Sequence, residues 1–161
     1  MSSISINAST EMVFESKNYI TMSNNNGAST DEIFEYTGKG CSVPKDVTIV
    51  RFHPSVIEVE DGAFEDCKQL REVVFNEGLQ KIGVNAFYEC KSLSSIALPS
   101  TVTEIGGSAF YDCKQLRDVI FNDGLQKIGR SAFYDCRSLS SIKLPSTVTE
   151  IVSYAFYYCK Q

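Results

Sequence analysis

The chain has 161 residues, of which 43% are hydrophobic and 22% charged. That balance, with no apolar run near the ~18 residues of a membrane helix, excludes a helical membrane protein and wholesale disorder. Twenty Asp and Glu against fifteen Lys and Arg leave a net charge of −5, the wrong sign for a protein that grips nucleic-acid phosphates.

Residues 1–30 read as a flexible or irregular segment. Met12-Val13-Phe14 and Tyr19-Ile20 have the composition of short strand pieces, and Ser23 to Thr30 form a polar, turn-rich spacer. The N-terminus lacks a basic stretch followed by an apolar core of roughly 7–15 residues, so no secretory signal is visible there. Asn7-Ala8-Ser9 fits a glycosylation sequon and, without such a signal, reads as chance.

Residues 31–46 are expected to be an N-terminal cap. Glu32-Ile33-Phe34-Glu35-Tyr36 alternates polar and apolar residues, and Cys41 to Val47 resembles the middle of the unit that follows, for example Ile96 to Val102. Such an irregular piece would cover the apolar end of an array.

From Val47 to Gln161 a 23-residue unit occurs five times, beginning at Val47, Leu70, Leu93, Leu116 and Leu139 and closing on Ala-Phe-x-x-Cys. A fixed period of this length predicts a solenoid, because one unit cannot bury its own apolar face and stacking supplies the core. In the third unit, Leu93, Ile96 and Leu98 have the spacing of a strand with one buried face. Pro99 ends that strand, and Val102 and Ile105 begin a second wall. Gly106-Gly107-Ser108 turns the chain into Ala109-Phe110, and the Ala, Phe and Cys spacing suits a single helical turn that drops Phe and Cys inward.

A longer period of 46 residues lies on top of the first. Leu70–Ser92 pairs with Leu116–Ser138 through Phe-Asn-(Glu/Asp)-Gly-Leu-Gln-Lys-Ile-Gly, and Leu93–Gln115 pairs with Leu139–Gln161 through Leu-Pro-Ser-Thr-Val-Thr-Glu-Ile. Two rung types alternate, which points to duplication of a two-rung block. At the twelfth position this alternation presents Glu58, Lys81, Glu104, Lys127 and Glu150. Stacked at ~4.8 Å, these would form a column of opposite charges that fixes register more than it stabilises.

The pattern Leu93-x-x-Ile96-x-Leu98-Pro99-x-x-Val102-x-x-Ile105-Gly106-x-x-Ala109-Phe110-x-x-Cys113 resembles the BspA-like leucine-rich repeat, and rungs two to five match it over residues 70–161. Rung one departs at Val47, Glu60 and Glu65. The ninth positions, Ser55, Gly78, Thr101, Gly124 and Thr147, lack the Asn or Cys of ordinary leucine-rich repeats, so the usual asparagine ladder is not expected. The resemblance implies a repeat solenoid, α/β but mainly β, right-handed and curved or gently twisted. It would have a parallel sheet on one wall and short strands and single helical turns on the others. It also implies an interaction protein, of a family with many members on microbial or protist surfaces, and it carries over no catalytic residues.

The six cysteines do not have zinc spacing. Five recur every 23 residues, from Cys67 to Cys159, and translationally related side chains point the same way, so buried free thiols are expected, which suit an intracellular compartment. The one histidine, His53, sits at a strand end. No nucleophile elbow, metal helix or phosphate loop is present, so neither an enzyme nor a cofactor or metal site is expected.

Tyr88, Tyr111, Tyr134 and Tyr157 should form a partly exposed aromatic column. The candidate partner surface is the outward face of the first-wall strands. Its third-position column is Ile49, Glu72, Ser95, Asp118 and Ser141, and its fifth-position column is Arg51, Val74, Ala97, Ile120 and Lys143. An apolar strip (Val74, Ala97, Ile120) flanked by charge is what a protein or peptide site looks like. The expectation is therefore a non-catalytic interaction module or scaffold, cytoplasmic on its thiols and missing signal, with the cell surface as the family's alternative. A self-assembling array, or a fragment of a longer repeat protein, is the other reading, because Leu139, Ile142, Leu144, Val148, Ile151 and Phe156 would form an apolar edge suited to end-to-end association.

Overall fold

The computed structural model describes residues 12–14, 19–22 and 32–160; the Ser23–Thr30 spacer and the sequon lie outside them. Among the described residues there are twelve strands, in chain order β1 (Met12–Phe14), β2 (Tyr19–Met22), β3 (Glu32–Tyr36), β4 (Ile49–Phe52), β5 (Glu58–Val59), β6 (Glu72–Val74), β7 (Lys81–Ile82), β8 (Ser95–Ala97), β9 (Glu104–Ile105), β10 (Asp118–Ile120), β11 (Lys127–Ile128) and β12 (Glu150–Ile151). The chain coils as a solenoid, and each rung contributes to three walls.

The first wall is parallel from β3 onward. β3 pairs with β4 and β4 with β6, in the register Ile33↔Ile49↔Glu72. β8 pairs with β10, aligning Ser95 with Asp118 and Ala97 with Ile120. These are two ladders and not one, because β6 and β8 are neighbours without hydrogen-bonded pairing. At the N-terminal end β2 adds antiparallel to β3 and β1 to β2, so a hairpin covers the edge that a parallel sheet would otherwise expose. Residues 141–143 form no strand, which leaves rung five without the first-wall strand its sequence predicts.

The second wall is a continuous parallel ladder of two-residue strands, β5-β7-β9-β11-β12. Its register places Glu58, Lys81, Glu104, Lys127 and Glu150 in one column, as the 23-residue spacing requires. Lys81 lies 3.4 Å from Glu58 and Lys127 3.5 Å from Glu150. Glu58 first, then Glu104, raise the Lys81 pKa. All these side chains are solvated, so the column sets register and adds little stability.

The third wall holds no helix; it is a run of turns. The expected helical turn fails for a backbone reason. Two residues per rung have left-handed dihedrals, for example Ser108 (φ 52°) and Asp112 (φ 57°) in rung three, and Asn85 with Glu89, Ser131 with Asp135 and Tyr154 with Tyr158 repeat this in the other rungs. A residue at positive φ cannot continue a right-handed helix. Instead, alternate N–H groups point along the stack. Phe64, Phe87, Phe110 and Phe133 each donate to the carbonyl of the next rung's Ala at 2.7 Å, while in-rung bonds close three residues back.

The eight inward positions fill the interior. Phe64, Phe87, Phe110 and Phe133 are fully buried, and from Phe64 to Phe156 the rings stack face to face at 4.9–5.3 Å with interplanar angles of 8° or less. Backbones also meet closely at the corner between the second and third walls. A Cβ added to Gly106 would lie 2.6 Å from the carbonyl carbon of Gly83, and one on Gly129 would lie 2.6 Å from that of Gly106. In rungs two to four only glycine fits that column without moving a neighbouring rung, whereas the end rungs carry Glu60 and Val152 there.

Phe110→Ala should therefore cost ~3–5 kcal/mol in a denaturant titration, because a central rung cannot collapse into the void without losing register with both neighbours. A loss under ~1 kcal/mol would show that the Phe stack does not carry the core.

Candidate functional site

The outward residues of the first wall are set by the pleat. In β6, β8 and β10 the middle residue points inward and its two neighbours outward. Glu72, Ser95 and Asp118 thus form one exposed column and Val74, Ala97 and Ile120 another. Val74 is 46% and Ile120 58% exposed, high for aliphatic side chains on a folded surface. Arg51, Ser141 and Lys143 are exposed as well, but Ser141 and Lys143 sit where the chain has left the ladder.

Ile49 differs from expectation. It is 7% exposed, because β4 is an inner strand of its sheet and β3 sets Ile33 directly beside it. The burial pattern of β4 leaves only Arg51 exposed. Ile49 lies in the outward column, in register with Glu72, but is covered there and stands apart from the main core cluster.

A shallow trough of about 460 Å³ crosses the wall at rung three, with Ser94, Ser95 and Ala97 as floor and Glu72, Asp118 and Ile120 among its sides. The trough follows from the 46-residue period, which gives rungs two and four large outward side chains and rung three small ones. Arg71 also borders it, a position the two-column sequence reading missed. The signal was available, since the second position alternates Thr48, Arg71, Ser94, Arg117 and Ser140 in step with the rest. A second hollow, of about 270 Å³, lies between Arg51 and Val74.

The cysteine column is structural. Cys67, Cys90, Cys113 and Cys136 are buried and all six cysteines are free thiols. Each of Cys90, Cys113, Cys136 and Cys159 aims its thiol at the carbonyl of the preceding rung's Phe, at 3.1–3.2 Å. Burial pushes the Cys67 and Cys159 pKa values up to about 11, and those of Cys90, Cys113 and Cys136 further.

Other polar groups also bridge rungs. Asn76 Nδ2 donates to the carbonyls of His53 and Val56, both at 2.9 Å, and Asn122 donates to that of Leu98. An asparagine bridge therefore exists at the seventh position of alternate rungs, two residues before the place where a leucine-rich repeat usually shows it. Thr101 Oγ1 donates to the carbonyls of Glu77 and Leu79 from the ninth position. His53 is exposed, with Nδ1 2.7 Å from Ser55 Oγ. Tyr88, Tyr111, Tyr134 and Tyr157 stack at 4.7–5.6 Å. Among the described residues no three His, Cys, Asp or Glu side chains converge as a metal site, and no helix is long and apolar enough to cross a membrane.

Parallel ladders on two walls, a turn wall and a repeating apolar interior define a leucine-rich repeat solenoid. The family model for the BspA type leucine-rich repeat region matches residues 32–161 in six copies. The chain belongs to that family. The first copy begins at β3, the strand that stacks in parallel register on rung one.

Among solved structures, the leucine-rich repeat protein of T. pallidum is 31% identical, with a TM-score of 0.68, over 78% of this chain and 58% of that one. The pneumococcal vaccine antigen PcpA is 21% identical, with a TM-score of 0.63, over 93% and 45%. A leucine-rich repeat protein from Bacteroides ovatus is 20% identical, with a TM-score of 0.57, over 89% and 50%. The chain thus spans about half the length of the structures it matches. A search of curated proteins finds no match.

At pH 8 a thiol of pKa about 11 is only ~0.1% thiolate, and the thiolate is the reactive form. Ellman's reagent at that pH should modify the half-exposed Cys41 and Cys159 first and reach the buried Cys67, Cys90, Cys113 and Cys136 only after unfolding. Immediate titration of all six thiols in the folded chain would contradict the buried column.

Proposed function

We propose that the chain is a non-catalytic interaction module that presents the outward face of its first wall, centred on rung three, to a protein or peptide. The observation that carries this reading is the trough with the exposed Ile120 at its side. Val74, also in water, borders a second hollow, and Glu72 and Asp118 share the strands of Val74 and Ile120, with Arg51 and Lys143 further out on the wall. An apolar centre with a charged rim matches the anatomy of a recognition patch. The expected columns of residues supply it, apart from Ile49.

Location belongs to the same proposal. The thiols argued for a reducing compartment, but a thiol that is both buried and held protonated is shielded from oxidants wherever the protein resides. That removes the main objection to the cell-surface setting that the family resemblance favours over the cytoplasmic one.

A second reading, self-association through rung five, rests on Ile151, Tyr154, Tyr157 and Tyr158, which are 47–60% exposed. Leu139 is buried, and Ile142, Leu144, Val148 and Phe156 are half-buried, so the apolar edge is narrower than the sequence suggests.

Ala97→Arg, which fills the trough from an exposed site, should leave the thermal melt unchanged and abolish capture of partners that the native chain retains from its own cells. Capture unaffected by that change would move the site elsewhere. Sedimentation across a concentration series decides the second reading: a concentration-dependent dimer lost in Tyr154→Lys would favour it, and a monomer throughout would end it.

A further inference from the structure

The trough has a chemical order along the strand direction, and that order specifies what it would hold. At the third position, Glu72 and Asp118 stand on either side of Ser95, with Arg71 next to Glu72 at the rim. Neither carboxylate is ion-paired among the described residues. At the fifth position, two residues further along the same strands, Ile120 flanks Ala97 in the trough, while Val74 borders the second hollow. The floor is small at both points. The furrow therefore offers an acidic notch with a hydroxyl at its base and an arginine at its rim and, ~6.6 Å further on, an aliphatic shelf of Ala97 and Ile120.

An extended peptide repeats its side chains on one face at this same interval, because strand residues i and i+2 share a face. We propose that the furrow is a recognition site for an extended segment that carries a basic residue and an aliphatic residue two positions apart, in either order. The Lys or Arg seats between Glu72 and Asp118 over the Ser95 hydroxyl. The Val, Ile or Leu seats against Ile120 over Ala97. Charge complementarity selects the first residue and removal of the exposed Ile120 side chain from water drives the second. The alternation of rung types places the furrow at rung three, whose two flanking rungs are both of the bulky type.

This inference rests on the proposed interaction role of the first wall, and the test separates the two. Random 12-residue peptides displayed on phage are selected on the whole chain and counter-selected on Ser95→Arg, which blocks the furrow from an exposed position. Clones lost on Ser95→Arg should be enriched at least fivefold in a basic residue two positions from an aliphatic one. A synthetic peptide from the commonest such clone should bind Glu72→Gln/Asp118→Asn about tenfold more weakly than wild type in 50 mM salt, with the difference shrinking in 0.5 M salt. Furrow-dependent clones that lack a basic residue would overturn the proposed ligand while leaving the wall as a peptide site. If no clone depends on Ser95, both the ligand and the first-wall reading fall.

Discussion

The buried phenylalanine of each rung is the junction on which the structure depends. In rung two, the N–H of Phe87 donates upward to Ala109 at 2.7 Å, and its carbonyl accepts both the N–H of Cys90 in its own rung and the thiol of Cys113 from the next. Its ring lies between those of Phe64 and Phe110. One residue thus joins a rung to its neighbours by backbone, side chain and thiol at once. The left-handed residues on either side make this possible, and they are costly: a non-glycine residue at positive φ is strained by ~1 kcal/mol or more. The strain is tolerated because the surrounding contacts over-determine it, so a rung has no reason to adopt this shape alone.

That dependence divides the surface into parts that are constrained and parts that are free. Positions facing the interior and the turn wall must repeat faithfully for stacking to continue, as must the glycine corner between the central rungs. Outward positions of the first wall contribute to no inter-rung contact of comparable strength, so they are where composition can vary. Here the variation has a period of two rungs, and a small-floored furrow between two bulky rungs is its direct geometric result. The function we assign to the wall depends on the same duplication that built the array.

Much of this was legible from the residues. The rung boundaries, the inward positions, the Phe stack and the Glu–Lys column follow from a fixed period combined with burial of apolar groups, both of which are written locally in the chain. The turn wall was not. Ser108 and Glu89 have no strong preference for left-handed dihedrals, and they adopt them because the next rung offers carbonyls. Gly62, Asn85 and the aspartates at 66, 112 and 135 were the available hint, since Gly, Asn and Asp tolerate that region best. Asn76 and Asn122 escaped notice because their bonds go to rungs 20 to 24 residues away. The two outward columns of the site were readable by counting, apart from Ile49, whose burial depends on the packing of β3. The furrow required comparing side-chain sizes across three rungs.

The central claim is that inter-rung bonds at the phenylalanine positions hold the array together, and amide hydrogen exchange by NMR addresses it directly. The N–H groups of Phe87, Phe110 and Phe133 should rank with the most protected amides in the chain and exchange only through global opening. The Phe156 N–H, which has no carbonyl above it among the described residues, should exchange orders of magnitude faster. If the three central Phe amides exchange as fast as Phe156 while the first-wall strands stay protected, the turn wall is peripheral and the stack is held by its sheets instead.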